Sequence, residues 1–265
     1  MTAKPAFFER AFGAEPPVRL VDEDPDLFAA LPPRGLLDGR ARAIAPVVRL
    51  ERGPWSADVS SICDEDSCLG LLVLDGLLVR SIVVVQEPRS EIIGPGDLLR
   101  PWQQGTEVAS VPFAWHWQVV RAARLAVLDS RFLAFAARWP KLISAVVERS
   151  VRRSHRLSLQ LAITDLRRVD DRLLLFFWHL ADRWGRMGPD GVTVPLPVTH
   201  DVLAQLVCAQ RPTVTTALKR LSDQGRISRR HDRTWLLAPE PPPVPAVVRA
   251  QLETQSRSCR DSEVR

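Results

Sequence analysis

Three features that would place the chain in a membrane or outside the cell are missing from its sequence. No window approaches the roughly 18–20 uncharged apolar residues of a membrane-spanning helix. Met1–Pro5 is followed by charged residues rather than by the apolar stretch of a secretory signal. The 265 residues include only four cysteines, too few for a disulfide scaffold. These absences predict a cytoplasmic globular protein, and its length predicts two domains.

Lysine is also scarce, and arginine supplies almost all of the positive charge. Residues 1–140 contain 15 Lys and Arg against 18 Asp and Glu, whereas residues 141–238 contain 17 against 9. A neutral-to-acidic first half joined to a basic second half favours a sensor or scaffold attached to a part that binds a polyanion. The alternative is that arginine-rich coding alone produces basic solvent-exposed faces.

The first half of the chain has the pattern of a β domain behind a proline-rich extension. In the extension, residues 1–45, Asp24–Leu31 predicts one short helix that Asp24 caps and Pro32-Pro33 stops. Short β-type runs then alternate with turns, and the pair Asp75-Gly76 predicts a hairpin. The predicted strands are Val47–Leu50, Leu69–Leu74, Leu77–Val85, Glu91–Ile93, Trp115–Val120 and Leu125–Leu128. Their spacing predicts a sandwich, barrel or jelly roll over residues 46–130.

Helical spacing replaces the β pattern after Ser130. The segment 141–166 has Leu142, Val146, Leu157, Leu161 and Thr164 on one approximate stripe, which predicts a long helix. Its place between a β domain and a basic domain makes it a candidate dimer interface, and an ordinary intradomain helix is the alternative. A second helix over 170–184, a turn over 185–191 and a strand over 192–196 follow. The tail, residues 239–265, is rich in proline and is predicted to be disordered.

The segment 197–237 is the most informative for function. Thr199 is a good N-cap for a helix over 200–207, and Cys208-Ala209-Gln210 forms a tight turn. A second helix over 211–223 would bury Val214, Leu218 and Leu221 and expose donors and short polar side chains, as a helix in the DNA major groove requires. A basic hairpin over 227–237 follows and completes a winged helix-turn-helix, whose wing lies along the phosphate backbone.

The pattern T-H-x-x-L-A-Q-L-V-x-A-x-R-x-T-V-x-x-A-L-K-R-L-x-D-x-G-x-I over 199–227 resembles the DNA-binding domain of Crp/Fnr-type bacterial transcription regulators. The resemblance extends upstream in architecture to about residue 20. It implies the α+β class, with an N-terminal cyclic-nucleotide-binding-like jelly roll (46–130), a dimerisation helix (131–168) and a C-terminal winged helix-turn-helix (169–238). It also implies homodimers that bind palindromic promoter sites in double-stranded DNA and contact RNA polymerase.

Two groups of residues are expected to bind the DNA. Those expected to contact base edges are Gln210, Arg211, Thr213, Thr216 and Lys219. Those expected to contact phosphates are Thr199, Thr215, Arg220, Arg229, Arg230 and Arg233. Family members often have Glu and Arg where this chain has Pro212 and Thr216, so the family's commonest half-site is not expected here.

The cassette that holds a cyclic phosphate in the family is degenerate. The matching stretch, Gly96–Trp102, has Asp97 for Glu, and no Arg-Ser pair follows before Val120. The residues Trp102, Val111, Phe113, Trp115 and Trp117 are expected to fill the pocket. The protein is therefore predicted to bind DNA without cyclic AMP or cyclic GMP. DNA binding is then expected to be constitutive and regulated by the amount of protein, or to be controlled by an unidentified effector, either an apolar molecule or a partner protein.

No cofactor, metal or catalytic site is expected. Cys63 and Cys68 form one pair, where a cluster needs three or four thiolates, and Asp97 is more simply a turn cap. His116 is the only histidine of the predicted β domain, between two tryptophans on the opposite strand face, and the chain has no hydrolase, P-loop or Rossmann motif. The alternative to a transcription regulator is a protein-interaction module whose basic domain binds a protein or a membrane.

Overall fold

The computed structural model describes residues 15–56, 68–85, 88–102 and 110–243, which form two compact units. The first unit consists of the described residues up to Asp165 together with Pro197–Pro212. The second consists of Leu166–Leu196 and the described residues from Thr213. The predicted division at residues 45, 130, 168 and 238 stays a prediction, and Cys63 and most of the tail lie outside the described residues.

The segment expected to be an extension contributes a strand and three helices to the first unit. Strand β1 pairs with β2, and the bounds are β1 Glu15–Arg19, α1 Leu20–Glu23, α2 Pro25–Phe28, α3 Pro33–Arg42 and β2 Ile44–Leu50. Asp24 caps α2 as predicted, because its carboxylate accepts the Leu27 N–H at 3.2 Å. The helix ends at Phe28 rather than at Leu31, and Pro33 begins the next helix, because proline suits a first helical turn.

An antiparallel sheet forms the body of the first unit. Its remaining strands are β3 Gly53–Trp55, β4 Gly70–Val83, β5 Pro88–Ile93, β6 Leu98–Leu99 and β7 Ala114–Leu128. The order is β1-β2-β7-β4-β5, with β3 also paired to β7 and β6 to β4. The antiparallel β domain of the expected α+β class is confirmed.

The hairpin predicted at Asp75-Gly76 is wrong. The chain continues through both residues as one strand, β4, which pairs with β7 along its whole length with register shifts between Val73 and Leu78. Gly76 has φ +100°, and a Cβ there would lie 2.3 Å from the Cα of Ala123. The Asp-Gly pair therefore marks a β-bulge, where glycine is needed for the same conformational reason as in a turn.

Both faces of this sheet are covered near its centre. Residues such as Leu71, Val73 and Leu125 form one hydrophobic core, whereas Leu72 and Ala126 belong to a second core under the N-terminal helices. Two-sided burial explains the continuous apolar runs of β4, which in the sequence resemble two short strands.

Helix α4, Ser130–Ala136, and the long helix α5, Pro140–Thr164, follow β7. The long helix is confirmed, but its predicted stripe is not a free surface. Leu142 and Val146 are buried in the second core and Leu157 is half-buried, whereas Leu161 is 65% exposed. The exposed apolar residues Ile143, Val147 and Val151 recur every four residues in a row that lies about 100° around the helix from Leu142 and Val146.

Three arginines one helical turn apart attach α5 to the β domain. Arg149 donates to Asp24 at 2.7 Å, Arg153 to Glu91 at 2.6 Å and Arg156 to Asp97 at 2.6 Å, and each of these hydrogen bonds is also an ion pair. Glu91 also accepts from Arg80 of β4. The domain-facing side of α5 is therefore ionic in its middle and apolar towards its start.

The second unit contains helix α6, Val169–Trp184, as predicted, and a four-stranded antiparallel sheet of order β10-β11-β9-β8. The strands are β8 Arg186–Gly188, β9 Gly191–Val194, β10 Ile227–Arg229 and β11 Trp235–Leu237. Helix α7, His200–Leu206, lies in the first unit, and α8, Arg211–Asp223, begins there and continues in the second. Among the residues described, no helix is long and apolar enough to cross a membrane.

Candidate nucleic-acid interface

The helix-turn-helix begins at the predicted cap. The Thr199 hydroxyl accepts the Val202 N–H at 3.3 Å, which starts α7, and Leu203 and Leu206 of that helix are buried. The turn that follows contains Cys208 at φ +52°, and the Ala209 N–H donates to the Ala204 carbonyl at 2.9 Å. This bond satisfies a carbonyl at the end of the helix and turns the chain into α8 within a few residues.

Helix α8 is amphipathic in the manner predicted. Val214, Leu218 and Leu221 are buried, together with Ala217, which the sequence interpretation did not include. The helix ends at Asp223, and Gly225, with φ +66°, adopts the left-handed conformation that follows many helices, while the Arg226 N–H donates back to the Leu221 carbonyl at 2.9 Å. All the polar residues predicted on or beside the helix are exposed: Gln210, Arg211, Thr213, Thr215, Thr216, Lys219 and Arg220.

These exposed polar residues do not all lie on the same side of α8. By helical spacing, Thr216 and Lys219 lie opposite the buried face, whereas Thr213 and Thr215 lie on its two flanks. Arg220 lies near the margin, and its guanidinium donates to Asp170 at 2.9 Å. Asp170 is buried in the first turn of α6, so Arg220 also has a structural role within the second unit.

Arg211 has an acidic neighbour that the sequence interpretation missed. Its Nε lies 3.4 Å from the Asp201 carboxylate of α7, and both side chains are more than half exposed. Exposed ion pairs of this kind contribute little to stability, about 0–1 kcal/mol. The pair with Asp201 therefore restricts the directions in which the Arg211 guanidinium points at little cost in stability.

The wing is a short hairpin, formed by β10 and β11, that is anchored by the buried side chain of Trp235. Trp235 of β11 packs against Phe177 of α6 with ring centroids 4.8 Å apart, and its indole N–H donates to the Leu196 carbonyl at 3.0 Å. The predicted cations of the hairpin are all exposed: Arg229, Arg230 and Arg233. Arg230 lies 3.4 Å from Asp190 of the β8–β9 turn, a second acidic neighbour that the sequence interpretation missed.

Asp232 holds the tip of the wing in place. Its carboxylate accepts hydrogen bonds from the Thr234 hydroxyl at 2.7 Å and from the Thr234 N–H at 2.9 Å. These two bonds, the hydroxyl first, lower the pKa of Asp232 below its ordinary value. The turn allows Arg233 to adopt φ +66° and directs the flanking arginines outward.

The cassette residues of the β domain form internal contacts. Asp97 accepts the Gly94 N–H at 3.0 Å, as expected of a turn cap, and also the Arg156 guanidinium. The arginines that could hold a cyclic phosphate are engaged elsewhere: Arg121 with Asp75 at 2.8 Å, and Arg124 with Glu15 at 2.8 Å and Glu23 at 3.0 Å. The hydrogen bond from Arg124 to Glu23 raises the pKa of Arg124. Arg100 lies over the ring of Trp102.

The expectation that aromatic residues fill the pocket is only partly correct. Trp117 is buried in the core, and Trp102 packs against it, but Val111 is 56% exposed. Half-buried Trp115 lines an open cavity of about 230 Å³. Cys68 is buried near the Gly70 carbonyl, and the described residues contain no group of three or more potential metal ligands.

Known proteins share parts of this architecture. Residues 171–240 match the Crp-like helix-turn-helix domain family. The chain is 37% identical over 92 residues to the regulatory protein CysR of Synechococcus elongatus, an alignment that covers 34% of this chain and 43% of CysR. The match thus spans less than half the length of that relative.

Solved structures share the fold beyond the helix-turn-helix. A CooA variant from Carboxydothermus hydrogenoformans has a TM-score of 0.54 and 17% identity over 73% of this chain and 83% of its own. A cyclic nucleotide-binding domain containing protein from Listeria monocytogenes has a TM-score of 0.56 and 12% identity over 72% and 88%. At these identities the likeness shows the fold alone. Residues 171–240 therefore belong to the Crp-like helix-turn-helix domain family.

Proposed function

We propose that this protein is a cytoplasmic, homodimeric regulator that binds palindromic sites in double-stranded DNA without a cyclic nucleotide. The observation that carries this proposal is the exposed polar face of α8, followed directly by a wing with three exposed arginines. A helix of this kind presents donors to base edges while the wing supplies cations to the phosphate backbone. The family's role in transcription and the engaged arginines of the β domain support a regulator rather than an enzyme.

Within the interface, Arg211 is assigned to a base edge, most plausibly guanine, because a guanidinium can donate to guanine O6 and N7 together. Gln210, Thr213, Thr216 and Lys219 complete the base-contacting group. The phosphate-contacting group is Thr199, Thr215, Arg220, Arg229, Arg230 and Arg233, with Arg220 shared between phosphate and Asp170.

Dimerisation is assigned to the exposed face of α5. Ile143, Val147 and Val151 leave 36%, 55% and 46% of their surface exposed, and the small side chains of Ser154 and Ser158 continue the same side of the helix. A second copy of the helix can cover such a stripe in a coiled-coil-like pairing. Two winged helices related by a two-fold axis would then contact half-sites about one DNA turn apart.

The test compares the contribution of each group to affinity and to sequence preference. Arg211→Ala is expected to cost roughly 1–3 kcal/mol on the preferred site and to relax preference at one symmetric position. Arg229→Gln with Arg233→Gln is expected to weaken all sequences alike and to reduce the salt dependence of binding. Arg34→Gln, on an exposed helix of the β domain, is the matched control.

Binding-site selection from random DNA followed by titration at several salt concentrations measures both effects. Wing variants that change base preference, together with an Arg211→Ala variant that behaves like the control, would reverse the assignment. A protein that shows no preference among selected sequences is not a sequence-specific regulator. Calorimetry with cyclic AMP and cyclic GMP up to millimolar concentration is expected to show no heat of binding.

A further inference from the structure

Asp201, in the first turn of α7, lies beside the arginine that is assigned to a base edge. Its carboxylate is 3.4 Å from the Nε of Arg211, and 59% of the Asp201 side chain and 67% of the Arg211 side chain are exposed. An exposed acid on a surface that binds a polyanion opposes binding through its charge. In a DNA interface Asp201 therefore lowers the affinity for every sequence, and any benefit it has comes through the arginine that it contacts.

The carboxylate of Asp201 is held more firmly than the guanidinium of Arg211. The Thr199 hydroxyl accepts the Val202 N–H at the start of α7, and Val202 and Leu203 bury this turn in the first unit. The short side chain of Asp201 therefore extends from a backbone that is fixed by a cap and by the core. The long side chain of Arg211 has far more rotamer freedom to lose. The pair therefore orders the arginine rather than the acid.

The contact is made through the Nε of Arg211, and this atom determines what the pair restricts. Nε lies in the plane of the guanidinium, so an acceptor fixed beside it limits the rotation of that plane and the direction of the terminal nitrogens. A base edge accepts from these nitrogens only in a narrow range of directions. Arg211 and Asp201 belong to the same compact unit, and the turn between their helices is closed by the bond from the Ala209 N–H to the Ala204 carbonyl. The fold therefore sets the distance between the two residues.

A second pair of the same kind occurs in the wing, where its consequence for sequence preference differs. Arg230 lies 3.4 Å from Asp190, and their side chains are 41% and 70% exposed. Arg230 is assigned to phosphate, and phosphate oxygens recur along the DNA whatever its sequence. Restricting the direction of this arginine therefore does not favour one base over another. Because the separation is the same and both partners are exposed, the wing pair is a matched comparison for Asp201 and Arg211.

We propose that Asp201 is a positioning residue that determines specificity, because it holds the Arg211 guanidinium towards one base of the half-site. On a sequence with guanine at that place, Arg211 donates to the base while Asp201 maintains its orientation. On another sequence the base does not offer the matching acceptors, and the charge of Asp201 still opposes the phosphates. The acid thus lowers all affinities and enlarges the difference between them. This inference rests on the proposed function, in which Arg211 contacts a base edge.

The first experiment measures the ordering of Arg211 in the full chain without DNA, as the order parameter of its Nε–H bond from NMR relaxation. In the wild type, Arg211 is expected to be more ordered than Arg34, an exposed arginine of α3. Asp201→Asn removes the charge and retains the shape, and it is expected to lower the order parameter of Arg211 to that of Arg34. Equal order parameters for Arg211 in the wild type and in Asp201→Asn overturn the proposal.

The second experiment combines binding-site selection from random DNA with titrations of the preferred site and of an unrelated duplex. Asp201→Asn is expected to bind the unrelated duplex about threefold more tightly and to reduce the preference at the base pair that Arg211 contacts about fivefold. Asp190→Asn, the matched control, is expected to strengthen binding to both duplexes alike and to keep the preference at every position. If the two variants have the same base preferences, Asp201 does not determine specificity and the proposal is wrong.

Combination with Arg211→Ala separates an action through Arg211 from a general effect on α7. As an acid in the first turn of α7, Asp201 also interacts favourably with the helix dipole, but a loss of helix stability would not single out one base pair. In the Arg211→Ala background, Asp201→Asn is expected to leave base preference unchanged, and a change that persists there overturns the proposal. A wild-type protein without any preference refutes the proposed function and this inference together, whereas a wild-type preference that survives Asp201→Asn refutes the inference alone.

Discussion

Replacing Glu91 by glutamine removes the one carboxylate that two half-buried arginines share. The side chains of Glu91, Arg80 and Arg153 are 10%, 22% and 18% exposed. In the wild type the two guanidiniums share the single negative charge of Glu91, through which Arg153 attaches α5 to the β domain. The amide of Glu91→Gln keeps the shape but leaves both cations without a charged partner.

The expected cost follows from this burial. Removing one partner of a buried ion pair costs roughly 3–5 kcal/mol, because the remaining charge stays desolvated. Since both arginines keep about a fifth of their surface in water, the lower end, about 3 kcal/mol, applies here. The matched control is Glu148→Gln, which breaks the Glu148–Arg152 pair on the same helix at 64% and 59% exposure. An exposed pair with this spacing contributes about 0.3–0.5 kcal/mol.

The assay is urea unfolding with hydrogen exchange as the probe. Exchange in peptides from β4 and β5 reports the unfolding of the first unit separately from that of the second. With a urea dependence of about 2–3 kcal/mol per molar, Glu91→Gln lowers the midpoint by about 1–1.5 M, and Glu148→Gln by about 0.2 M. One molar sodium chloride is expected to remove the smaller effect and leave the larger one. Equal midpoints for the two variants would show that burial of this cluster does not determine its energy.

Three further outcomes are expected. Val147→Arg, on the exposed face of α5, is expected to give a monomer by light scattering, whereas the control Leu159→Arg, on another face, is expected to remain a dimer. A monomeric wild-type protein would refute the assignment of the dimer interface to α5. Thr199→Ala is expected to destabilise α7 by about 1 kcal/mol, measured as a loss of amide protection at Val202, and unchanged protection would contradict the cap. Asp232→Asn is expected to increase amide exchange at Thr234 near neutral pH. In the wild type the protection of the Thr234 amide, measured relative to its intrinsic exchange rate at each pH, is expected to be lost only as the pH falls through the lowered pKa of Asp232, since the stabilising contribution is present above the unfolded pKa. A wild-type Thr234 amide that is already unprotected at neutral pH would contradict this.

Local chemistry was enough to predict the helix-turn-helix from the sequence. Thr199, Pro212 and Gly225 act on the residues next to them, and the buried positions Val214, Leu218 and Leu221 follow from helical spacing. The contacts between elements could not be predicted in this way. Asp201 beside Arg211 and Asp170 beside Arg220 are pairs separated by 10 and 50 residues, for which one sequence contains no signal.

The long helix shows the same limit. Its existence and length follow from its composition, but the face it turns to the β domain depends on Asp24, Glu91 and Asp97, which accept hydrogen bonds from its arginines. A search for an apolar stripe selects Leu142 and Val146 and misses the ionic contacts beside them. Helical spacing places Leu161 on the same approximate stripe as Leu142 and Val146, although 65% of its side chain is exposed.

The bulge at Gly76 has a consequence for insertions and deletions. In β7 the residues that face the first core have odd numbers throughout, for example Trp117, Val119 and Leu125. In β4 they have odd numbers before the bulge, Leu71 and Val73, and an even number after it, Leu78. From the pair Val73–Leu125 to the pair Leu78–Val119, β4 advances five residues while β7 advances six, so β4 is one residue short of regular pairing here. Insertion of one residue at this point would restore both the alternation of β4 and its match to β7, whereas insertion or loss of one residue beyond Leu78 would turn the rest of the strand inside out. Along a strand whose two faces are both buried, this is the place where a change of length is tolerated.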